Sequence, residues 1–150
     1  MRIALASDHA ALDLRLALAA WLRDGGHEVS DLGCDGAASV DYPDFGYRLA
    51  GSVASGDVER GIALCGSGIG ISIAVNRHPG ARCALVSEPL SAALSREHND
   101  ANVLAMGARL VGIEMAKACI TAFLDTPFAG GRHQGRVDKL TAPAIERTFA

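Results

Sequence analysis

The sequence predicts an α/β fold, in which helices cover both faces of one parallel β-sheet. Short apolar runs rich in β-branched residues alternate five times with longer stretches of helical period. Such alternation is typical of parallel sheets built from βαβ units. The chain has 150 residues, enough for one domain with its own core and too few to favour a second. We therefore expect residues 1–150 to form a single domain.

The first part of the chain is predicted to contain two strands and two helices. The apolar run at 2–6 is a strand, and the helix at 10–24 has apolar residues on one face and ends at a Gly-Gly pair. A second strand is expected at 27–33. The helix at 41–56 carries a proline in its first turn, where proline is favoured.

The rest of the chain continues the same alternation. Further strands are predicted at 61–65, 82–86 and 102–106. Further helices are predicted at 70–76, 89–98 and 112–125, with a last one from about 134 onward. Together these elements predict a three-layer α/β/α sandwich with a five-stranded parallel, Rossmann-like sheet.

Composition and charge exclude several classes of protein. A net charge of −3 gives no general electrostatic reason to bind nucleic acid or an acidic membrane surface. No secretory signal is expected, because the N-terminal apolar run meets Asp8 after a few residues. The longest chargeless run, 61–76, is glycine-rich and too short to span a bilayer. We expect a soluble, cytoplasmic protein without nucleic-acid or membrane partners.

The four cysteines indicate neither disulfides nor a zinc site, because none has the C-x-x-C spacing. Cys83 and Cys119 lie in apolar periodic segments and are expected to be small core residues. Cys34 lies in a loop and indicates no role. The histidines lack the H-x-x-x-H spacing of helical metal ligands, so no metal site is predicted.

Polar and glycine-rich segments follow three of the predicted strands. They are SDH at 7–9, CGSGIG at 65–70 and SEP at 87–89. Because ligands bind outside the carboxyl ends of parallel strands, we expect a site at this edge of the sheet.

The segment CGSGIG has three glycines in five positions after Cys65. Glycine lets a ligand approach the backbone N–H groups, and a helix N-terminus beyond the loop attracts anions. The pattern matches neither the dinucleotide-binding motif nor the P-loop, and an anion-binding loop is favoured over a plain turn. Cys65 is either a buried core residue or a thiolate stabilised by the neighbouring amides, and its position alone does not decide.

Three other polar groups have both a structural and a functional interpretation. Asp8 caps the first helix or, with His9, forms an acid/base and phosphate-binding pair. His98 stabilises the end of a helix or takes part in catalysis. Arg132 and Arg136 belong to a solvated charged face or bind a phosphate together.

Taken together, these segments resemble one family. SDH, DYPD, LCGSGIGISIAVN, SEP, LSREHND, NVLAMGAR and GGRHQGRV occur in the order and spacing of the type B ribose-5-phosphate isomerases. The resemblance covers nearly the whole chain. The family also includes isomerases of galactose, allose and tetrose phosphates. It implies a five-stranded parallel sheet and a homodimer, or a dimer of dimers, whose active sites use both subunits.

The resemblance also implies an activity, the interconversion of D-ribose 5-phosphate and D-ribulose 5-phosphate through an enediolate, with no cofactor and no metal. Cys65 matches the base that moves a proton between carbon 2 and carbon 1. Another branch of the family uses a glutamate at the position of Ile71, and isoleucine cannot act as a base. His98 matches the acid that opens the furanose ring, and Asp8 is expected to handle the hydroxyl protons of the sugar.

The other residues that match the family's site are implied to bind the sugar phosphate. The enediolate is expected to lie against the amides of Gly66, Ser67, Gly68, Ile69 and Gly70. Asn99 is expected to bind a sugar hydroxyl or the enediolate oxygen, and Tyr42 to line the site. The phosphate is expected to be bound by His9, Arg132 and Arg136. Arg109 is expected to make a further contact with the substrate. Ser67 replaces the threonine frequent in the cysteine branch and keeps its hydroxyl.

Two other functions remain open. The same chemistry could act on allose 6-phosphate, galactose 6-phosphate or a tetrulose 4-phosphate, since the length of the sugar is not readable from the sequence. A non-catalytic ligand-binding module on the same sheet is the second alternative. Such a module would not need Cys65, His98 and two arginines together.

Overall fold

The computed structural model describes residues 1–142 and confirms the predicted five-stranded parallel sheet. The strands are β1 (Arg2–Ser7), β2 (Glu28–Asp31), β3 (Arg60–Cys65), β4 (Cys83–Leu85) and β5 (Val103–Gly107). The helices of the described residues are α1 (Leu12–Asp24), α2 (Tyr42–Ala54), α3 (Ile69–Val75), α4 (Pro89–Asn99), α5 (Ile113–Asp125) and α6 (Gln134–Thr141). The last helix was predicted from about residue 134 onward, and its continuation into 143–150 lies outside the described residues.

The strands lie in the order β2-β1-β3-β5-β4. The chain therefore leaves β1 toward one edge of the sheet and leaves β3 toward the other. Neighbouring strands whose connections diverge in this way leave a crevice at their carboxyl ends. That crevice lies between Ser7 and Cys65, the last residues of β1 and β3.

The alternation of side chains along the strands divides the core into two layers. The larger residues of the central strands, such as Leu5 and Leu64, pack on the face covered by α1, α4 and α5. Smaller residues such as Ala63, together with Cys65, pack on the face covered by α2 and α3. No helix among residues 1–142 is long and apolar enough to cross a membrane.

Most elements begin or end within one or two residues of the predicted bounds. β2 ends at Asp31, because the N–H of Gly33 donates to Asp31 Oδ1 at 3.1 Å and starts a turn. The first helix begins as a 3₁₀ turn at His9–Ala11 before α1. α3 starts at Ile69, one residue earlier than predicted.

A side chain covers the backbone of the edge strand β4. The amide of Asn76 donates to the carbonyl of Cys83 at 2.9 Å and accepts from its N–H at 2.8 Å. Cys83 is half-buried at this edge, so its prediction as a core residue is only partly correct. Cys119 is fully buried, as predicted.

Two glycines hold the loop between β3 and α3 against the end of β5. Gly68 has a φ of +78°, in the left-handed region that glycine adopts without strain. Gly107, the last residue of β5, lies so close that a Cβ atom there would be 2.6 Å from the backbone of Ser67. The loop that follows Cys65 is thus supported by direct contact between backbones.

We predict that Gly107→Ala destabilises the protein by about 1–3 kcal/mol, because the added methyl group would displace the backbone of Ser67. Thermal and urea unfolding measure the change. The matched control is Gly51→Ala in α2, where a Cβ meets nothing within 4 Å and alanine favours the helix. Equal unfolding midpoints for wild type and Gly107→Ala would contradict this steric account.

Candidate active site

A cleft of about 320 Å³ opens at the carboxyl ends of β1 and β3. Many of the residues predicted to form the site line it. They are Asp8, His9, Tyr42, Cys65, Gly66, Ser67, Gly70 and Arg109. The sheet therefore brings together residues as distant in the sequence as Asp8 and Arg109.

Cys65 is the last residue of β3 and is 4% exposed. The loop turns back at Gly68, whose N–H donates to Cys65 Sγ at 3.0 Å. A backbone N–H in this position stabilises negative charge on the sulfur. The sulfur therefore lies at the base of the cleft with an amide dipole directed at it.

The rest of the glycine loop supplies further amide groups. The N–H of Ile69 bonds to Ser67 Oγ at 3.3 Å, and the side chain of Ile69 is exposed outside this cleft. The N–H groups of Gly66, Ser67 and Gly70 donate no hydrogen bond to any of residues 1–142. These three residues line the same cleft as Cys65, so their amide groups are candidates for binding an oxyanion there.

Asp8 and His9 form the wall of the cleft on the β1 side. Asp8 is buried, and its Oδ1 accepts from the N–H of Ala10 at 3.0 Å, which confirms the predicted cap. His9 Nδ1 accepts from the N–H of Val40 at 3.2 Å. Because Nδ1 is the acceptor, a neutral His9 carries its proton on Nε2 and acts there as a donor.

The loop between β2 and α2, which contacts His9 at Val40, is fixed by a buried arginine that the sequence analysis did not identify. Arg15 on α1 is 2% exposed. Its Nε lies 3.1 Å from Asp31 Oδ1, and its Nη2 donates to the carbonyl of Cys34 at 2.7 Å. These contacts secure the start of the loop that ends at Val40.

Tyr42 and Arg109 lie on either side of the glycine loop. The Tyr42 ring lies over Gly70, where a Cβ atom would come within 2.5 Å of it. Arg109 follows β5; its N–H donates to the carbonyl of Gly66 at 3.0 Å, and its guanidinium lies against the same residue. The loop is therefore enclosed by an aromatic ring and a cation.

Four predicted site residues lie at the opposite edge of the sheet. Of these, His98, Arg132 and Arg136 form a second group, whereas Asn99 faces a separate pocket. His98 and Asn99 end α4, just before β5 begins. The ring of His98 stacks on that of His133, with centroids 4.5 Å apart and planes 8° from parallel. Arg132 Nε lies 3.4 Å from His133 Nε2, and Arg136 belongs to the first turns of α6.

His133 is a member of this group that sequence reasoning missed. Its side chain is buried, and the pKa of His133 is lowered by burial and then by the positive charges of His98, Arg132 and Arg136. Glu97 acts in the other direction, and its Oε1 is 4.0 Å from His98 Nε2. The position of His133 between two arginines in GGRHQGR is the one signal that could have indicated it.

Asn99 lines a separate pocket of about 420 Å³. Arg82 and Cys83 line the same pocket, which lies beside the edge strand. Burial raises the pKa of the Cys83 thiol to about 12, so this cysteine stays protonated.

The distance between the two groups follows from the geometry of the sheet. Cys65 ends β3, whereas His98 lies near the level at which β5 begins. A strand of six residues spans about 17 Å. Within one chain the Cys65 sulfur and the His98 imidazole therefore lie toward opposite ends of the strands. Each of the two groups contains only part of the predicted site. Among residues 1–142, no cluster of His, Cys, Asp or Glu side chains is suited to a metal ion.

Comparisons with known proteins identify the family. The sequence model of the Ribose/Galactose Isomerase family matches residues 3–140. Ribose-5-phosphate isomerase B of Escherichia coli is 47% identical over 141 residues, covering 94% of this chain and 95% of that protein. D-erythrulose-4-phosphate isomerase of Pectobacterium atrosepticum is 40% identical over 141 residues, covering 93% of each.

A solved structure has the same fold. Ribose-5-phosphate isomerase B of Clostridium thermocellum superposes with a TM-score of 0.93 at 48% identity, covering 94% of this chain and 95% of that one. The resemblance to the type B ribose-5-phosphate isomerases is thereby confirmed. The chain belongs to the ribose/galactose isomerase family and is an aldose–ketose isomerase of sugar phosphates.

Proposed function

We propose that the protein interconverts D-ribose 5-phosphate and D-ribulose 5-phosphate, with Cys65 as the base and with each active site shared between two subunits. The observation that carries the proposal is the buried sulfur of Cys65, in a cleft with Asp8, His9 and three amide groups that bond to none of residues 1–142. The 47% identity to a ribose-5-phosphate isomerase B supports the choice of substrate.

The isomerisation moves one proton from carbon 2 to carbon 1. Cys65 takes this proton, and the developing enediolate lies against the amides of Gly66, Ser67 and Gly70. General base catalysis contributes about 10² to 10⁴ in rate, and one well-placed oxyanion donor contributes roughly 3 to 4 kcal/mol. Ile71, where another branch of the family has a glutamate, is fully buried and apolar, so it offers no competing base.

Ribose 5-phosphate is mainly a closed furanose, which must open before the proton can move. His98 is proposed to donate the proton to the ring oxygen, while Asp8 accepts and returns hydroxyl protons. Asn99, the next residue to His98, is proposed to bind a sugar hydroxyl.

The phosphate is proposed to bind between cations from both groups. Arg132 and Arg136 come from the His98 group, and guanidinium groups bind phosphate oxygens in pairs. His9 comes from the Cys65 group, and Arg109 of the same group is proposed to make a further contact with the substrate. His9 suits this role because its Nε2 is the free donor of the ring.

A second subunit is proposed because a five-carbon phosphate is too short to contact both groups of one chain. The surface around β4 supports an association. Ile69 and Ile73 on α3, Leu85 on β4 and Leu90 on α4 are all at least 45% exposed. An apolar groove joins Ile69 to Leu85. Packing this surface against a second copy would bury it beside the catalytic loop.

A sugar of another length is the second candidate substrate. The relative named as a D-erythrulose-4-phosphate isomerase is 40% identical and nearly as long as this chain. Comparing kcat/KM for four-, five- and six-carbon phosphates decides between the candidates. A preference of at least tenfold for a four- or six-carbon phosphate would replace ribose 5-phosphate as the substrate while leaving the chemistry in place.

We predict that Cys65→Ala lowers kcat by at least about 10², the low end for loss of a general base. Exchange of the carbon 2 hydrogen with solvent deuterium should fall equally, because Cys65 carries that proton. The matched control is Cys83→Ala, which removes a protonated, half-buried thiol on the edge strand β4. This change should leave both rates unchanged. Exchange by Cys65→Ala at the wild-type rate would assign the proton to another residue, first of all Asp8.

We also predict that two inactive variants restore activity when they are mixed. Cys65→Ala and His98→Asn damage different groups, so a heterodimer of the two contains one site with both changes and one intact site. Random exchange of subunits makes half of the dimers mixed, and the mixture should reach about a quarter of wild-type activity. Mixing Cys65→Ala with Asp8→Asn, which damages the same group, should restore nothing. Absence of recovery in the first mixture would place the whole site within one chain.

A further inference from the structure

Asp100 ends α4 in an unusual backbone conformation. Its φ and ψ are 45° and 42°, and it is the only residue other than glycine with a positive φ among residues 1–142. Glycine most often ends helices in this conformation, and asparagine and aspartate adopt it more readily than other residues because their short polar side chains can bond locally. At Asp100 an interaction of the side chain supports the turn.

That interaction comes from two arginines, which hold both oxygens of the carboxylate. Arg96 Nη1 lies 2.7 Å from Oδ1, and Arg82 Nη2 lies 2.7 Å from Oδ2 of Asp100. The same arginines bind the main chain of the turn. Arg82 Nε donates to the carbonyl of Asp100 at 2.8 Å, and Arg96 Nη1 donates to that of Ala101 at 2.6 Å.

Both arginines are fixed by the rest of the fold. Arg96 is 4% exposed, and its guanidinium lies 5.8 Å from the centre of the Phe123 ring on α5. Arg82 precedes β4, and its backbone N–H donates to Asn102 Oδ1 at 2.7 Å. The ion-paired turn thus joins the end of α4 to β4, β5 and α5.

The charges around the turn make the carboxylate difficult to replace. Arg60 lies at the start of β3, and its pKa is lowered, first by burial and then by the positive charges of Arg96 and Arg82. The negative charges of Asp100 and Glu59 partly oppose this shift. Asp100 therefore offsets a group of three arginines. Removing its charge leaves the buried guanidinium of Arg96 without its carboxylate.

His98 is two residues before Asp100 on the same helix. A helix turns by about 100° for each residue, so loosening its last turn would rotate the imidazole away from His133. We propose that Asp100, through Arg82 and Arg96, is a positioning residue that holds His98 and Asn99 in the orientation required for ring opening. This inference rests on the proposed role of His98.

The test is Asp100→Asn, since asparagine tolerates the left-handed conformation and removes only the charge. Ribose 5-phosphate must be opened, whereas a four-carbon aldose phosphate cannot form a furanose through its phosphorylated end. We expect kcat/KM to fall by about 10- to 100-fold on ribose 5-phosphate and by much less on erythrose 4-phosphate. A merely unstable enzyme would lose both activities in equal proportion, and equal losses would overturn the proposal.

A second variant covers the case in which Asp100→Asn does not fold. Arg82→Gln leaves the pair of Asp100 with Arg96 in place, so a smaller loss in the same direction is expected, and equal losses on both sugars would again overturn the proposal. Glu114→Gln breaks the exposed ion pair with Lys117 on α5 and is the control that should leave both activities unchanged.

His98→Asn, measured beside these variants, separates the ring-opening role of His98 from the positioning role of Asp100. If it slows only the five-carbon sugar while Asp100→Asn and Arg82→Gln do not, the positioning role is wrong and the role of His98 stands. If His98→Asn slows both sugars equally, the ring-opening role of His98 is wrong, and the positioning role is wrong with it.

Discussion

All five strands run in the same direction, and this constraint decides where each functional side chain can lie. In a parallel sheet every loop from strand to helix lies at the carboxyl edge, and every loop from helix to strand lies at the opposite edge. Cys65 ends the strand that leads into a loop of the first kind, and His98 is beside one of the second kind. No change of side-chain rotamer brings them together within one chain. The proposal of a shared site therefore follows from strand direction and not from the chemistry of the residues.

The glycine loop combines its functions in a single backbone conformation. The left-handed turn at Gly68 directs one N–H at the sulfur of Cys65, and the N–H groups of Gly66, Ser67 and Gly70 stay without a partner in the described part of the chain. The site thus depends little on side chains at these positions. It depends instead on the contact with Gly107 that keeps the loop in place.

The sequence predicted the strands and helices because their periodicity is local. It also predicted the residues around Cys65, because the loops of a parallel sheet meet at one edge. It could not predict that the ring of His133 stacks on His98, or that Arg82 and Arg96 share Asp100. The stacked histidines and the Arg82–Asp100 pair join different elements, and no spacing rule relates them. The Arg96–Asp100 pair has the i, i+4 spacing of helical ion pairs, but that spacing does not indicate the second arginine. The separation of the two groups, by contrast, follows from the predicted order of elements, because Cys65 ends a strand whereas His98 ends a helix that precedes one.

The edges of the sheet have a consequence for the behaviour of the protein at high concentration. An unpaired edge strand is a template on which other chains can add strands and aggregate. On β4, which has only three residues, Asn76 already occupies the N–H and the carbonyl of Cys83. At the other edge, β2 has four residues and carries the charged side chains of Glu28 and Asp31. The edge at β4 is thus protected against growth into fibrils by its short length and by the side-chain amide of Asn76. The edge at β2 is protected by its short length and its charged side chains.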